Sequence, residues 1–247
     1  MSTDTGKFSL NQLWKDVQAV VAARAGDFLL PAAAFVFLPS FAQGLFVAQP
    51  ANPMQPDPAY TVSTLIAALI GLLGTLSIIA MTIDPRLGTA AAIRLALRRY
   101  GRALGTALIT GAAIFIGLLA LVLPGIYLLV RLWLVMPAVV MDDGEGLLGP
   151  LKASWRATEG AGVWLRSFAV FVIVIAAGLL LAIVASAAAL IDPIIGSGNL
   201  DAGQLGLFGS LAAAIVSAVM GAYFAAAQAR AYAALTGAAD RRRETFA

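Results

Sequence analysis

Six long apolar runs are the feature of this sequence that most restricts its fold. An α-helix needs about 20 apolar residues to cross a hydrocarbon core of roughly 30 Å, and it pairs its own backbone polar groups. Only 12% of the residues are charged and 61% are hydrophobic, whereas a soluble domain carries about a quarter charged residues. We therefore predict an all-α, polytopic membrane protein with six transmembrane helices and additional amphipathic interfacial helices. The predicted spans are 28–48, 61–81, 104–123, 126–141, 167–191 and 206 to about 229.

The third and fourth runs raise the question of whether they form one helix or two. A continuous helix over 104–141 would be about 57 Å long, nearly twice the thickness of the hydrocarbon core. Pro124 and Gly125 lie between the two runs, and Pro followed by Gly suits the central positions of a type II turn. We therefore expect a tight hairpin at Pro124-Gly125, with Pro137 as a further structural position near the end of the fourth span.

The charge distribution supports six spans. The segments 49–60 and 192–205 contain no Lys or Arg, and every basic residue except Arg131 falls on the other side of this topology. By the positive-inside rule, both termini are expected in the cytoplasm. The expected organisation is a cytoplasmic amphipathic segment (1–27), a six-span membrane domain (28–230) and a basic cytoplasmic tail (231–247).

Two kinds of segment outside the spans have helical patterns. Apolar residues at helical spacing from Leu10 to Val21 predict an amphipathic helix, which either lies on the membrane surface or packs against the protein itself. The connectors 92–98 and 150–156 align basic with basic and apolar with apolar residues. This likeness indicates either an internal repeat of span, interfacial helix and span, or two unrelated basic amphipathic helices.

The absence of some residue types excludes much enzyme chemistry. The chain has no histidine and no cysteine, and no acidic residue lies inside a predicted span. We therefore expect no catalytic residues, no cofactor and no metal, because no acid-base pair or activated nucleophile can be assembled. A solvated acidic loop explains Asp142, Asp143 and Glu145 better than a cation site does. The net charge of +3 is expected to favour anionic lipid headgroups over nucleic acid.

Arg131 is the one basic residue inside a predicted span. Helical side chains lean toward the helix N-terminus, so its guanidinium is expected to point toward the outer leaflet. Its partner is either a backbone carbonyl or water, in a structural role, or a lipid phosphate bound bidentately. Prolines free carbonyls one turn earlier, which makes Pro124 and Pro137 relevant. The residues expected to bind lipid or an anion are Arg131, Lys152, Trp155 and Arg156.

One part of the chain resembles a known family. The residues Leu123-Pro124-Gly125-Ile126-Tyr127, Arg131, Pro137, an acid near Asp142, and the segment 150–156 carry the likeness. Together they resemble the membrane domain attached to some bacterial glycerophosphoryl diester phosphodiesterases, and they are similar to the stand-alone YciC-like inner-membrane proteins. The resemblance implies a bacterial six-span inner-membrane protein. It does not imply phosphodiesterase activity, because the chain has neither the soluble barrel domain nor a histidine.

Two functional hypotheses follow. The first is a non-enzymatic, lipid-associated scaffold or adaptor that uses its basic helices to dock partners. The alternative is a transporter or flippase-like protein that handles a phospholipid or a small anion beside Arg131. The expected partners are the bilayer, an anionic phospholipid and a membrane or cytoplasmic protein, and no nucleic acid.

Overall fold

The computed structural model describes residues 10–50, 57–141, 146–159, 161–192, 194 and 205–237. All regular secondary structure in these residues is helical, as the apolar runs predict. One π-helical segment, Ala33–Phe37, connects α2 and α3. The α-helices are α1 (Leu10–Ala23), α2 (Ala25–Ala32), α3 (Leu38–Phe46), α4 (Pro58–Ile83), α5 (Thr89–Ala120), α6 (Val122–Leu132), α7 (Val135–Met141), α8 (Gly149–Ala157), α9 (Ala161–Ala189) and α10 (Leu207–Thr236).

Six helical segments of the described residues are long and apolar enough to cross a membrane. The prediction of an all-α, six-span membrane protein is therefore confirmed. The fourth segment combines α6 and α7, and the first combines α2, the π-helical segment and α3. The segments are Ala25–Phe46, Pro58–Ile83, Thr89–Ala120, Val122–Met141, Gly162–Ile183 and Leu207–Thr236.

The third and fourth runs form a hairpin, but its turn is not at Pro124-Gly125. The chain reverses at Leu121, which has an extended backbone (φ −168°, ψ 146°), while Pro124 and Gly125 lie in the first turn of α6. Proline is tolerated there because an N–H in the first turn has no intrahelical partner. Gly125 serves close packing instead, since a Cβ on it would lie 2.4 Å from the Leu118 side chain of α5.

Pro137 lies near the end of the fourth span, at the start of a separate helix. The span is interrupted at Trp133 and Leu134, and Pro137 lies in the first turn of α7. Without an N–H, Pro137 cannot bond to the carbonyl of Trp133 four residues earlier. The side-chain amide of Gln228 on α10 donates to that carbonyl over 2.6 Å.

The predicted amphipathic segments differ in how they are placed in the structure. Of the two alternatives for α1, the structure shows packing on the protein, because Leu13 and Val17 are buried in a cluster with residues of α10. Residues 92–98 do not form a separate interfacial helix: they belong to α5, which continues into the third span. Only 150–156 lies in a short helix of its own, α8.

The tightly packed core lies near the α4–α5 connection. It is formed by α2, the last turns of α4, the first half of α5, the end of α6, α7 and the last half of α10. α7 is almost wholly buried, with the first half of α5 and α8 packed against it. In contrast, the second half of α5 exposes large apolar side chains such as Phe115, Ile116 and Leu119. Contact with lipid acyl chains is favourable for this exposed apolar surface, whereas contact with water is not.

Candidate functional site

The structure brings the four predicted site residues together where α6 meets α8. Arg131 is the penultimate residue of α6, next to the interruption between α6 and α7, and α8 packs against both of these helices. Lys152, Trp155 and Arg156 line a groove of about 560 Å³, which also includes Leu132 and Leu151. The guanidinium carbon of Arg131 lies 5.1 Å from the centre of the Trp155 ring. The guanidinium of Arg131, which is expected from the sequence to point toward the outer leaflet, lies beside the end of α8.

The Arg131 guanidinium binds protein oxygens at the C-terminal end of α8. Its Nη1 donates to the carbonyl of Thr158 and, over 3.5 Å, to that of Trp155. Its Nε donates to the Tyr127 hydroxyl over 3.0 Å. The last carbonyls of a helix have no intrahelical partners and carry the negative end of the helix dipole. A guanidinium at this position therefore stabilises the C-terminal end of α8 and holds this helix against α6.

The backbone of Arg131 is also tied to α8. The Ser154 hydroxyl donates to the Arg131 carbonyl over 2.8 Å, and the Thr158 hydroxyl approaches the same oxygen at 3.3 Å. Ser154 and Thr158 are fully buried. The two elements thus exchange hydrogen bonds in both directions, which makes the junction of α6 and α8 a fixed platform.

Lys152 and Arg156 lie one turn apart on the exposed face of this platform. Neither side chain forms an ion pair or hydrogen bond with another residue in the described ranges. Trp155 is 39% exposed between them, while Leu132 at the base of the groove is only 6% exposed. The arrangement offers two cations above an apolar floor. The acidic residues Asp142, Asp143 and Glu145, which were expected nearby in sequence, lie outside the described residues.

Sequence reasoning missed the side chains that surround Arg131. Trp164 stacks on Tyr127 with ring centres 6.0 Å apart, and Trp155 meets Tyr127 edge-on at 5.9 Å. Tyr127 could have been found, because it lies four residues before Arg131 on the same helical face. Ser154 and Thr158 gave no such signal, since their contacts depend on how α8 packs.

Three further arginines donate to carbonyls in the same manner. Arg24 donates to Met81 and Leu87 around the end of α4, and forms an ion pair with Asp27 at 2.9 Å. The other two bind carbonyls around α7 and the start of α8: Arg99 that of Val139 at 3.2 Å, and Arg102 that of Gly146 at 3.0 Å. Some of the basic residues thus bind backbone carbonyls and hold connecting segments in place. The sequence pattern does not reveal which of the basic residues do so.

No metal-binding cluster is present in the described part of the chain, where no group of three or more acidic residues is close enough to hold an ion. No protein-family model matches the chain, and no curated protein or solved structure matches it. Functional inference therefore rests on the geometry of the chain's own residues.

Proposed function

We propose that this chain is a non-enzymatic, multi-pass protein of a bacterial inner membrane that binds an anionic phospholipid headgroup on α8. In this role it serves as a lipid-associated scaffold or adaptor, with both termini in the cytoplasm. The observation that carries the proposal is the groove in which Lys152 and Arg156 stand above an apolar floor.

The chemistry of the groove fits a phospholipid headgroup. Arg156 offers a planar guanidinium that can bind phosphate oxygens bidentately, and Lys152 adds a compact charge one turn away. Trp155 presents an amphipathic ring of the kind that is enriched at membrane–water interfaces. Its exposure beside the two cations supports binding of the phosphate above and the glycerol and acyl portions below.

Arg131 is a positioning residue in this proposal. Its guanidinium binds the carbonyls at the end of α8, so it holds in place the helix that carries Lys152 and Arg156. The flippase-like alternative depended on a cation that meets a lipid within the spans. Because Arg131 is engaged by protein oxygens, its geometry favours the scaffold over that alternative.

The cytoplasmic assignment of this end draws its support from the charge pattern. Lys and Arg lie beside the α4–α5 connection and on α8, and anionic lipids attract basic segments at about 1 kcal/mol per residue near a membrane surface. The resemblance over 123–156 supports a bacterial inner-membrane setting.

Native mass spectrometry of the full chain in mild detergent tests the proposal. The variant carries Lys152→Gln and Arg156→Gln, and it is compared in titrations with phosphatidylglycerol and phosphatidylcholine. We expect retained phosphatidylglycerol to fall by at least half in the variant, while phosphatidylcholine changes little. A matched control carries Lys15→Gln and Arg86→Gln, which remove the same charge from two exposed positions elsewhere. Equal losses in variant and control would reject a site on α8.

A further inference from the structure

The first half of α5 and α8 have the same pattern of burial. At the positions 92–98 and 150–156, the residues run in the same order: buried, half-buried, exposed, half-buried, buried, exposed, exposed. Any amphipathic helix alternates buried and exposed faces, but these two segments also agree in the type of residue on each face. The two segments therefore resemble each other in burial as well as in sequence, although one begins a long helix and the other forms a short helix.

The buried positions are small or compact in both segments and pack against the same region. Ala92 and Ala96 lie in the core cluster that also contains Val139 of α7. α8 packs mainly on α7, and Ser154 takes the position equivalent to Ala96. Both helices thus contact α7, and each buries its small side chains.

The exposed positions are equivalent in chemistry. Arg94 and Arg98 correspond to Lys152 and Arg156, and Leu97 corresponds to Trp155. Leu97 is 55% exposed, so an apolar side chain accompanies the two arginines on this face. Within the described ranges, neither Arg94 nor Arg98 forms an ion pair or hydrogen bond, in contrast to Arg99 on the buried side of the same turn.

We propose that Arg94, Leu97 and Arg98 form a second binding site for an anionic phospholipid headgroup, equivalent to the site on α8. This inference rests on the proposed function, which it extends from one lipid to two per chain. Charge complementarity selects the occupant, because two guanidinium groups one turn apart match the oxygens of a phosphodiester. The exposed Leu97 selects an occupant with acyl chains over free phosphate.

Lipid stoichiometry in native mass spectrometry tests the second site. We expect the full chain to retain two phosphatidylglycerol molecules, and the Arg94→Gln/Arg98→Gln variant to retain one. The Lys152→Gln/Arg156→Gln variant should also retain one, and the variant with all four substitutions none. The Lys15→Gln/Arg86→Gln control should keep both lipids. Inorganic phosphate added at high concentration should not displace them if the acyl chains contribute to binding.

The outcomes separate this inference from the proposed function. If the α8 variant loses lipid and the α5 variant retains as much as the wild type, the second site is rejected and the site on α8 stands. If neither variant differs from the control, both are rejected. If only the α5 variant loses lipid, the site on α8 and the equivalence of the two faces are both rejected. Displacement of the bound lipids by phosphate would reject the proposed contribution of the acyl chains at Leu97. Matching elution volumes and unfolding midpoints establish that each variant is folded.

Discussion

The side-chain amide of Gln228 donates a 2.6 Å hydrogen bond to the carbonyl oxygen of Trp133. That carbonyl lacks a helical partner because Pro137, four residues later, has no N–H. A similar contact occurs in the first span. Pro31 leaves the carbonyl of Asp27 without a helical donor, and the Thr89 hydroxyl approaches this carbonyl at 3.3 Å. Interruptions of two spans are thus stabilised by side chains from other helices.

Replacing Gln228 with leucine should lower the free energy of unfolding by about 1–3 kcal/mol, because it leaves a buried carbonyl without a donor. The midpoint of thermal unfolding in detergent measures the effect. Gln43→Leu is the matched control: Gln43 donates only to hydroxyls of Ser63 and Thr64, which themselves bond to the carbonyl of Tyr60. Similar midpoints for the two variants would contradict a special role for Gln228.

Replacing Arg131 with methionine should also destabilise the protein, by about 1.5–3 kcal/mol, since bonds from a charged donor to the end of α8 are lost. Arg131→Lys should recover only part of this, because an ammonium cannot reproduce the guanidinium's fixed fork. The control Arg156→Met removes an exposed cation and should change the unfolding midpoint little. An Arg131→Lys midpoint equal to the wild type would show that charge alone suffices.

Gly125→Ala tests the contact between α5 and α6. Its new Cβ would lie 2.4 Å from the Leu118 side chain and 2.8 Å from the Leu118 backbone nitrogen, so the helices must separate. Overpacking of this kind costs about 1–3 kcal/mol. Gly111→Ala is the control, because no atom lies within 4 Å of its new Cβ and alanine favours the helix. An equal effect of both substitutions on thermal unfolding would argue against close packing at Gly125.

Trp155 should report on bound lipid directly. Its ring is partly exposed beside Lys152 and Arg156, so brominated phosphatidylglycerol should quench its fluorescence more than brominated phosphatidylcholine does. The difference should disappear in Trp155→Phe, which leaves the chain's other three tryptophans in place. Raising the salt concentration should weaken the phosphatidylglycerol preference, because exposed charges are screened. A preference that persists unchanged in Trp155→Phe would place the lipid elsewhere.

The proposed topology can be tested with single cysteines, since the chain has none of its own. Gln49→Cys should react with an impermeant reagent added to intact cells, whereas Gly88→Cys, at the α4–α5 connection, should react only after permeabilisation. Both positions are exposed, and nothing lies within 4 Å of a Cβ at Gly88. The reverse labelling pattern would invert the topology and remove the α8 groove from the cytoplasmic leaflet.

The candidate site was only partly predictable from the sequence. Lys152, Trp155 and Arg156 were identified because they share one face of a short amphipathic helix, which is a local property. The partners of Arg131 were not, because Thr158 lies 27 residues away and meets it only through the packing of α8. The turn at Leu121 was missed for a related reason: Pro124-Gly125 suits a reverse turn, but proline also suits the first turn of a helix.

The sequence by itself determined the fold class and the number of spans, because bilayer thickness sets the length of each apolar run. It also determined which residues carry charge. Only the tertiary structure decided what those charges do. Arg24, Arg99, Arg102 and Arg131 bind carbonyls of other segments, whereas Arg94, Arg98, Lys152 and Arg156 face outward without partners in the described residues. The physical reason is that unpaired carbonyls arise at helix ends and interruptions, and packing alone determines which arginine reaches them.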